Sequence, residues 1–120
     1  MVDENKFAII QRGMLDVVKQ GTARGAQIDS VEVGGKTGTA QNPHGENHAL
    51  FMGYATYKGR SIAIACIIEN GGYGGSWSAP IASLMMEKYL KGHISERKKP
   101  VEERMKAANL LNKVNENYVR

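Results

Sequence analysis

Phe7, Ile10, Met14, Val17 and Val18 recur at the spacing of one helical face, so the pattern predicts an amphipathic helix over residues 4–20. Gly21 is a stop signal, and Thr22-Ala23-Arg24-Gly25 reads as a loop. Residues 31–41 hold four β-branched residues and three glycines, which disfavours helix and predicts a strand. Turn chemistry follows in Asn42-Pro43-His44-Gly45-Glu46-Asn47-His48. A second strand is expected over 49–57, a hairpin turn at Lys58-Gly59-Arg60, and a third strand over 61–69. The third strand is apolar on both faces, with Ile62, Ile64, Cys66 and Ile68 on one and Ala63, Ala65 and Ile67 on the other. It is therefore expected to be covered on both sides of its sheet.

Residues 70–77 are glycine-rich and read as a loop in which Tyr73 and Trp77 are packing anchors, contact with a bound peptide being the alternative. Ser78 reads as the cap of a helix that carries Pro80 in its first turn and ends near Leu90, before Gly92. Ile81, Leu84, Met85 and Tyr89 share one face of that helix. A further helix is expected over 101–114. Helix, three-strand antiparallel meander and C-terminal helix make an α+β arrangement. Two units are read: residues 1–94, and a charged basic tail of residues 95–120.

Charge sharpens that division. The net charge is +4. Residues 1–90 balance eight Lys/Arg against eight Asp/Glu, so the excess lies in residues 91–120, with eight against four. A basic tail raises nucleic acid or an anionic membrane surface as partners. Tyr118 is its one aromatic, so no stacking platform for bases is evident and a solvated charged helix is the expectation. The single cysteine, Cys66, excludes an internal disulfide and reads as a buried, inert thiol. His44 and His48 are four apart in a polar loop without further ligands, so neither metal nor cofactor is expected. The longest apolar run, Ile62 to Ile68, is far too short to cross a bilayer.

The candidate chemistry lies in Lys36-Thr37-Gly38-Thr39. Gly35-Lys36-Thr37 resembles the end of a phosphate-binding loop, but that motif needs a glycine where Ser30 stands and a helix after the lysine. Read as a strand, the segment places Thr37 and Thr39 on one side and Lys36 and Gly38 on the other. Two hydroxyls in line can grip a carboxylate, with the lysine supplying positive charge. Gly38 leaves room for a ligand's backbone. The Thr39 amide, if unpaired, faces where an oxyanion could develop.

Val33-Gly34-Gly35-Lys36-Thr37-Gly38-Thr39-Ala40-Gln41 resembles the Lys-Thr-Gly signature of the penicillin-binding proteins and serine β-lactamases. Gly21-Thr22-Ala23-Arg24, Ala49-Leu50-Phe51-Met52-Gly53-Tyr54-Ala55 and Glu69-Asn70-Gly71-Gly72 are similar to class B transpeptidases of the wall-elongation type, over about residues 5–92. The resemblance implies part of the penicillin-binding transpeptidase fold, with the three strands inside a five-stranded sheet. It implies that Lys36, Thr37, Gly38 and Thr39 bind the carboxylate of a D-Ala-D-Ala stem peptide or a β-lactam. Lys36 also tunes the proton relay, and the Thr39 amide is half of an oxyanion hole. It further implies a membrane-anchored periplasmic parent working with the elongation machinery.

The family's Ser-x-x-Lys and Ser-x-Asn boxes should precede Lys-Thr-Gly, and no Ser-x-Asn occurs in the chain. Ser95-Glu96-Arg97-Lys98 has the spacing but follows the motif, in a charge run where Lys98 is expected to stay solvated and protonated. The chain alone is therefore expected to lack transpeptidase activity, and its bare strand edges to favour self-association. A non-catalytic peptide-binding module is the alternative. His48 reads as an ordinary loop residue, and Arg24 as support for the strand's start.

Overall fold

The computed structural model describes residues 3–111. Helix α1 spans Glu4–Lys19, and the Asp3 carboxylate accepts the Asn5 amide hydrogen at 2.8 Å to cap it. Only its second half packs: Val18 is buried and Met14 and Val17 half-buried, whereas Phe7 and Ile10 are more than half exposed. The chain then makes a single 3₁₀ turn at Arg24–Ala26, with Ala23 and Ala26 fully buried. Strands β1 (Glu32–Ala40), β2 (His48–Tyr57) and β3 (Arg60–Ile68) form an antiparallel sheet in that order. The β2–β3 turn is Lys58-Gly59. Both residues have positive φ (48° and 76°), as the twist of a two-residue hairpin demands. Helix α2 spans Ser78–Lys91 and stops at Gly92 in the left-handed conformation; α3 spans Lys99–Ala107.

One sheet face is closed by α2. Val33, Phe51 and Ala55 pack with Ala79, Ala82, Met86 and Leu90, joined by Val18 and flanked by Ile62, Ile64 and Cys66. Two of the three glycines of β1, Gly34 and Gly35, are explained by aromatic rings on opposite faces. A Cβ on Gly34 would come within 2.6 Å of the Tyr54 ring, and one on Gly35 within 2.5 Å of the Phe51 ring.

Several expectations change here. The double cover of β3 is not found among the described residues: Ala63, Ala65 and Ile67 are exposed, because α2 lies on the opposite face, while Met14 of α1 borders a shallow hollow on this one. Ser78 is not a cap but the first helical residue, and its hydroxyl donates to the Gly74 carbonyl at 2.9 Å. Ile81, Leu84, Met85 and Tyr89 do share one face of α2, and it is not the face packed in the Val33–Phe51–Ala55 core. The small residues Ala79, Ala82 and Ser83 let that side of α2 approach closely. On the other side Met85 and Tyr89 are exposed and Leu84 is buried, and with Ile81, Ile94 and Met105 they line an apolar groove of about 630 Å³. The last helix begins and ends earlier than 101–114, with Pro100 in its first turn, and residues 112–114 lie outside the described residues. Cys66 is half-buried, with burial pushing its thiol pKa up.

Lys98 is the sharpest correction. It is half-buried rather than solvated, donating to Ser83 Oγ at 2.8 Å and to the Gly25 carbonyl at 3.2 Å. Burial pushes its ammonium below the ordinary lysine range, against the opposing pull of Glu87 and Asp29. Around it, the fully buried Glu87 accepts from the Ser95 amide (3.3 Å) and lies 3.5 Å from Lys91 Nζ, and Arg97 pairs with Asp29 at 2.8 Å. Lys99 and Lys106 both pair with Glu102. Arg97, Lys99 and Lys106 stay largely exposed in these pairs, as a solvated charged segment should, and Lys91 and Lys98 are the basic groups drawn inward.

Candidate functional site

The Lys36–Thr39 stretch lies on β1, which is hydrogen-bonded on one side only among the described residues. Alternate backbone groups of an edge strand point away from its neighbour. The register sets Lys36 opposite Met52, Thr37 opposite Phe51, Gly38 opposite Leu50 and Thr39 opposite Ala49. Thr37 therefore shares its face with buried Phe51, and Lys36 lies on the reverse.

The glycine-rich segment between β3 and α2 forms the facing wall. Thr22, Lys36, Thr37, Gly38, Thr39, Tyr73, Gly74, Gly75 and Ser76 surround a cleft of about 510 Å³. The wall closes tightly because it lacks side chains. A Cβ on Gly74 would collide with the Leu50 carbonyl and lie 3.0 Å from that of Gly38, and one on Gly75 would collide with the Thr22 carbonyl. Tyr73 is 74% exposed beside the cleft, so it is not the packing anchor expected of it; Trp77 is half-buried at the start of α2.

Below the cleft, a polar network ties the β1–β2 connection to the glycine segment. The Asn70 amide donates to His48 Nδ1 (3.0 Å), Asn42 Nδ2 to Asn70 Oδ1 (2.7 Å), and the Gly72 amide to the Asn47 carbonyl (2.7 Å). His48 is thereby a structural hydrogen-bond acceptor at the start of β2. Arg24 is exposed, its Nε donating weakly to the Gly21 carbonyl at 3.4 Å. Among the described residues no cluster of three His, Cys, Asp or Glu could hold a metal ion, and no helix is long and apolar enough to cross a membrane.

The cleft has a consistent charge character. Lys36 Nζ is exposed, makes no ion pair among the described residues and donates to the Thr37 carbonyl at 2.7 Å. Hydroxyls come from Thr22, Thr37, Thr39, Tyr73 and Ser76, and no lining residue is acidic. Such a lining suits an anion. Thr37 Oγ1 lies 2.7 Å from Thr22 Oγ1, a partner that the spacing of the motif did not reveal. The signal available in the sequence was the Gly21-Thr22-Ala23-Arg24 string, which carries no chemistry until the fold brings it across fifteen residues.

A family model described as the penicillin binding protein transpeptidase domain matches residues 1–87. The peptidoglycan D,D-transpeptidase MrdA of Acinetobacter baumannii is 33% identical over 107 residues, covering 77% of this chain and 15% of that protein. The MrdA of Haemophilus influenzae is 36% identical, covering 74% and 16%. Among solved structures, the D,D-transpeptidase domain of a peptidoglycan glycosyltransferase from Eggerthella lenta superposes with a TM-score of 0.63 at 30% identity, over 76% of this chain and 22% of that one. The chain thus spans about a sixth of the length of the curated relatives it matches.

Proposed function

This chain belongs to the penicillin-binding protein transpeptidase family, and we propose that it supplies the carboxylate grip and one oxyanion donor of a peptidoglycan D,D-transpeptidase. Lys36 and the hydroxyls of Thr37 and Thr39 bind the terminal carboxylate of a D-Ala-D-Ala stem peptide, or the matching group of a β-lactam. Gly38 leaves space for the peptide backbone. The Thr39 amide stabilises the oxyanion as a serine attacks the D-Ala-D-Ala peptide bond. D-alanine leaves, and an amine from a neighbouring strand resolves the acyl-serine. Lys36 also tunes the proton relay at that serine. The Ser-x-x-Lys and Ser-x-Asn boxes do not precede Lys36 within these 120 residues, so the chain alone is inactive.

The observation that carries this reading is the cleft itself: a lysine and five hydroxyls, with no lining carboxylate, along an edge strand. On this reading the whole protein is anchored in the bacterial cytoplasmic membrane, works in the periplasm with the elongation machinery and has no nucleic-acid partner. The one-sided edges of β1 and β3 would support self-association of the chain. A non-catalytic peptide-binding module would use the same cleft and differs only in never meeting a serine.

The test is a labelled penicillin together with a titration. The chain should take no covalent label, whereas N-acetyl-D-alanyl-D-alanine should shift the Lys36–Thr39 amide resonances. Stoichiometric labelling of the chain would refute its inactivity, and unmoved Lys36–Thr39 resonances would refute the grip.

A further inference from the structure

A hydroxyl has one hydrogen to donate and two lone pairs that accept. Thr37 Oγ1 stands 2.7 Å from Thr22 Oγ1, so one of the two donates to the other. If Thr37 donates to Thr22, only its lone pairs are left for the cleft, and these repel a carboxylate. If Thr22 donates to Thr37, the Thr37 hydrogen is free to point into the cleft. Among the described residues Thr22 Oγ1 has no other hydrogen-bond partner, so its hydrogen is available for that role.

Thr22 is held where this requires it. The Ala23 amide donates to the Val17 carbonyl at 3.1 Å and the Ala26 amide to the Ala23 carbonyl at 2.9 Å. Lys98 anchors the same turn at the Gly25 carbonyl, and Gly75 presses against the Thr22 carbonyl where any Cβ would collide. The turn therefore presents the Thr22 hydroxyl to β1 from a fixed backbone.

We infer that Thr22 is a positioning residue whose hydroxyl donates to Thr37 and so orients the Thr37 hydrogen toward a bound carboxylate. Donation into Thr37 also polarises its O–H, because hydrogen bonds in a chain reinforce one another. The inference rests on the carboxylate-grip reading of Lys36–Thr39, and the experiment separates the two.

The binding of N-acetyl-D-alanyl-D-alanine and of its C-terminal amide to this chain is compared by amide chemical shifts. Each variant's amide spectrum reports that it is folded. The unsubstituted chain should prefer the carboxylate form. Thr22→Val and Thr22→Ala should weaken carboxylate binding about five-fold, with the amide form unaffected, and Thr22→Ser should bind within two-fold of the unsubstituted chain. Carboxylate binding lost in Thr37→Val but kept in both Thr22→Val and Thr22→Ala overturns the inference and leaves the grip standing. Failure of Thr22→Ser to restore binding also overturns it, since the effect is then one of shape and not of the hydroxyl. No carboxylate preference in the unsubstituted chain, or no loss in Thr37→Val, sinks the grip and the inference with it.

Discussion

Replacing Lys98 by methionine isolates the polar anchor that joins α2, the Arg24–Ala26 turn and the start of the tail. Methionine keeps most of the aliphatic stem and deletes the two donations, to Ser83 Oγ and to the Gly25 carbonyl. Hydrogen bonds from a charged donor contribute about 1.5–3 kcal/mol each. Two effects reduce the loss. The buried ammonium already carries a desolvation cost, seen in its lowered pKa, and Ser83 keeps its bond to the Pro80 carbonyl at 2.7 Å. The Gly25 carbonyl is left without this partner. The net expectation is a destabilisation of about 1–2 kcal/mol at neutral pH, equivalent to roughly 4–15 °C in Tm for a domain of this size.

The pH dependence of that difference carries its own sign. Lys98 titrates lower in the folded chain than in the unfolded one, so between those two values the unfolded state binds more protons. Stability then rises with pH toward the ordinary lysine value of 10.5. Methionine removes this contribution, and the stability gap between the two proteins should widen as pH rises through that window. Urea unfolding of both proteins from neutral to alkaline pH measures it. A Tm within a degree of the original, with a gap that does not change with pH, would show that Lys98 is a solvated surface lysine after all.

Glycines of the cleft wall should respond according to what surrounds them. Gly74→Ala should cost about 2–3 kcal/mol by overpacking against the Leu50 carbonyl. Gly72→Ala faces open space and should cost only the roughly 1–2 kcal/mol of a positive φ (79°); denaturant midpoints of the two variants test this order. Cys66, half-buried with its thiol pKa raised by burial, should react with a disulfide reagent several-fold more slowly than a free cysteine at pH 8. Rates equal to those of an unfolded control would refute it.

The strands and both main helices were legible in the sequence because their signals are local. Alternation, glycine stops and turn residues fix β1 to β3 within a residue or so of their observed ends. Lys36, Thr37, Gly38 and Thr39 come together at the cleft for the same reason, as four consecutive residues on one strand. What stayed hidden depends on which elements meet. Ile81, Leu84, Met85 and Tyr89 form the most conspicuous apolar stripe of α2, yet the sheet takes the side of Ala79, Ala82, Met86 and Leu90, a choice that depends on the surface it meets. Lys98 sits in a run of charges that reads as solvated, and only the docking of residues 95–98 on α2 buries it. Thr22 flanks the motif from a segment fifteen residues before Thr37, and periodicity carries no information across such a gap.

The seating of Phe51 bears on how this segment can vary over evolutionary time. Its ring lies in a recess made by Gly35 and Gly53, where a Cβ would come within 2.5 Å and 2.8 Å of the ring. Gly35 immediately precedes Lys36, so the backbone that presents the motif rests on the largest fully buried side chain of the core. A lineage cannot gain a side chain at position 35 while the phenyl ring stays, nor trim the ring without opening a void beneath the strand. Positions 35, 51 and 53 should therefore behave epistatically: each single change is deleterious alone, and some pairs are tolerated together. Selection for altered ligand preference at Lys36–Thr39 would meet that coupling before it met any constraint from the ligand.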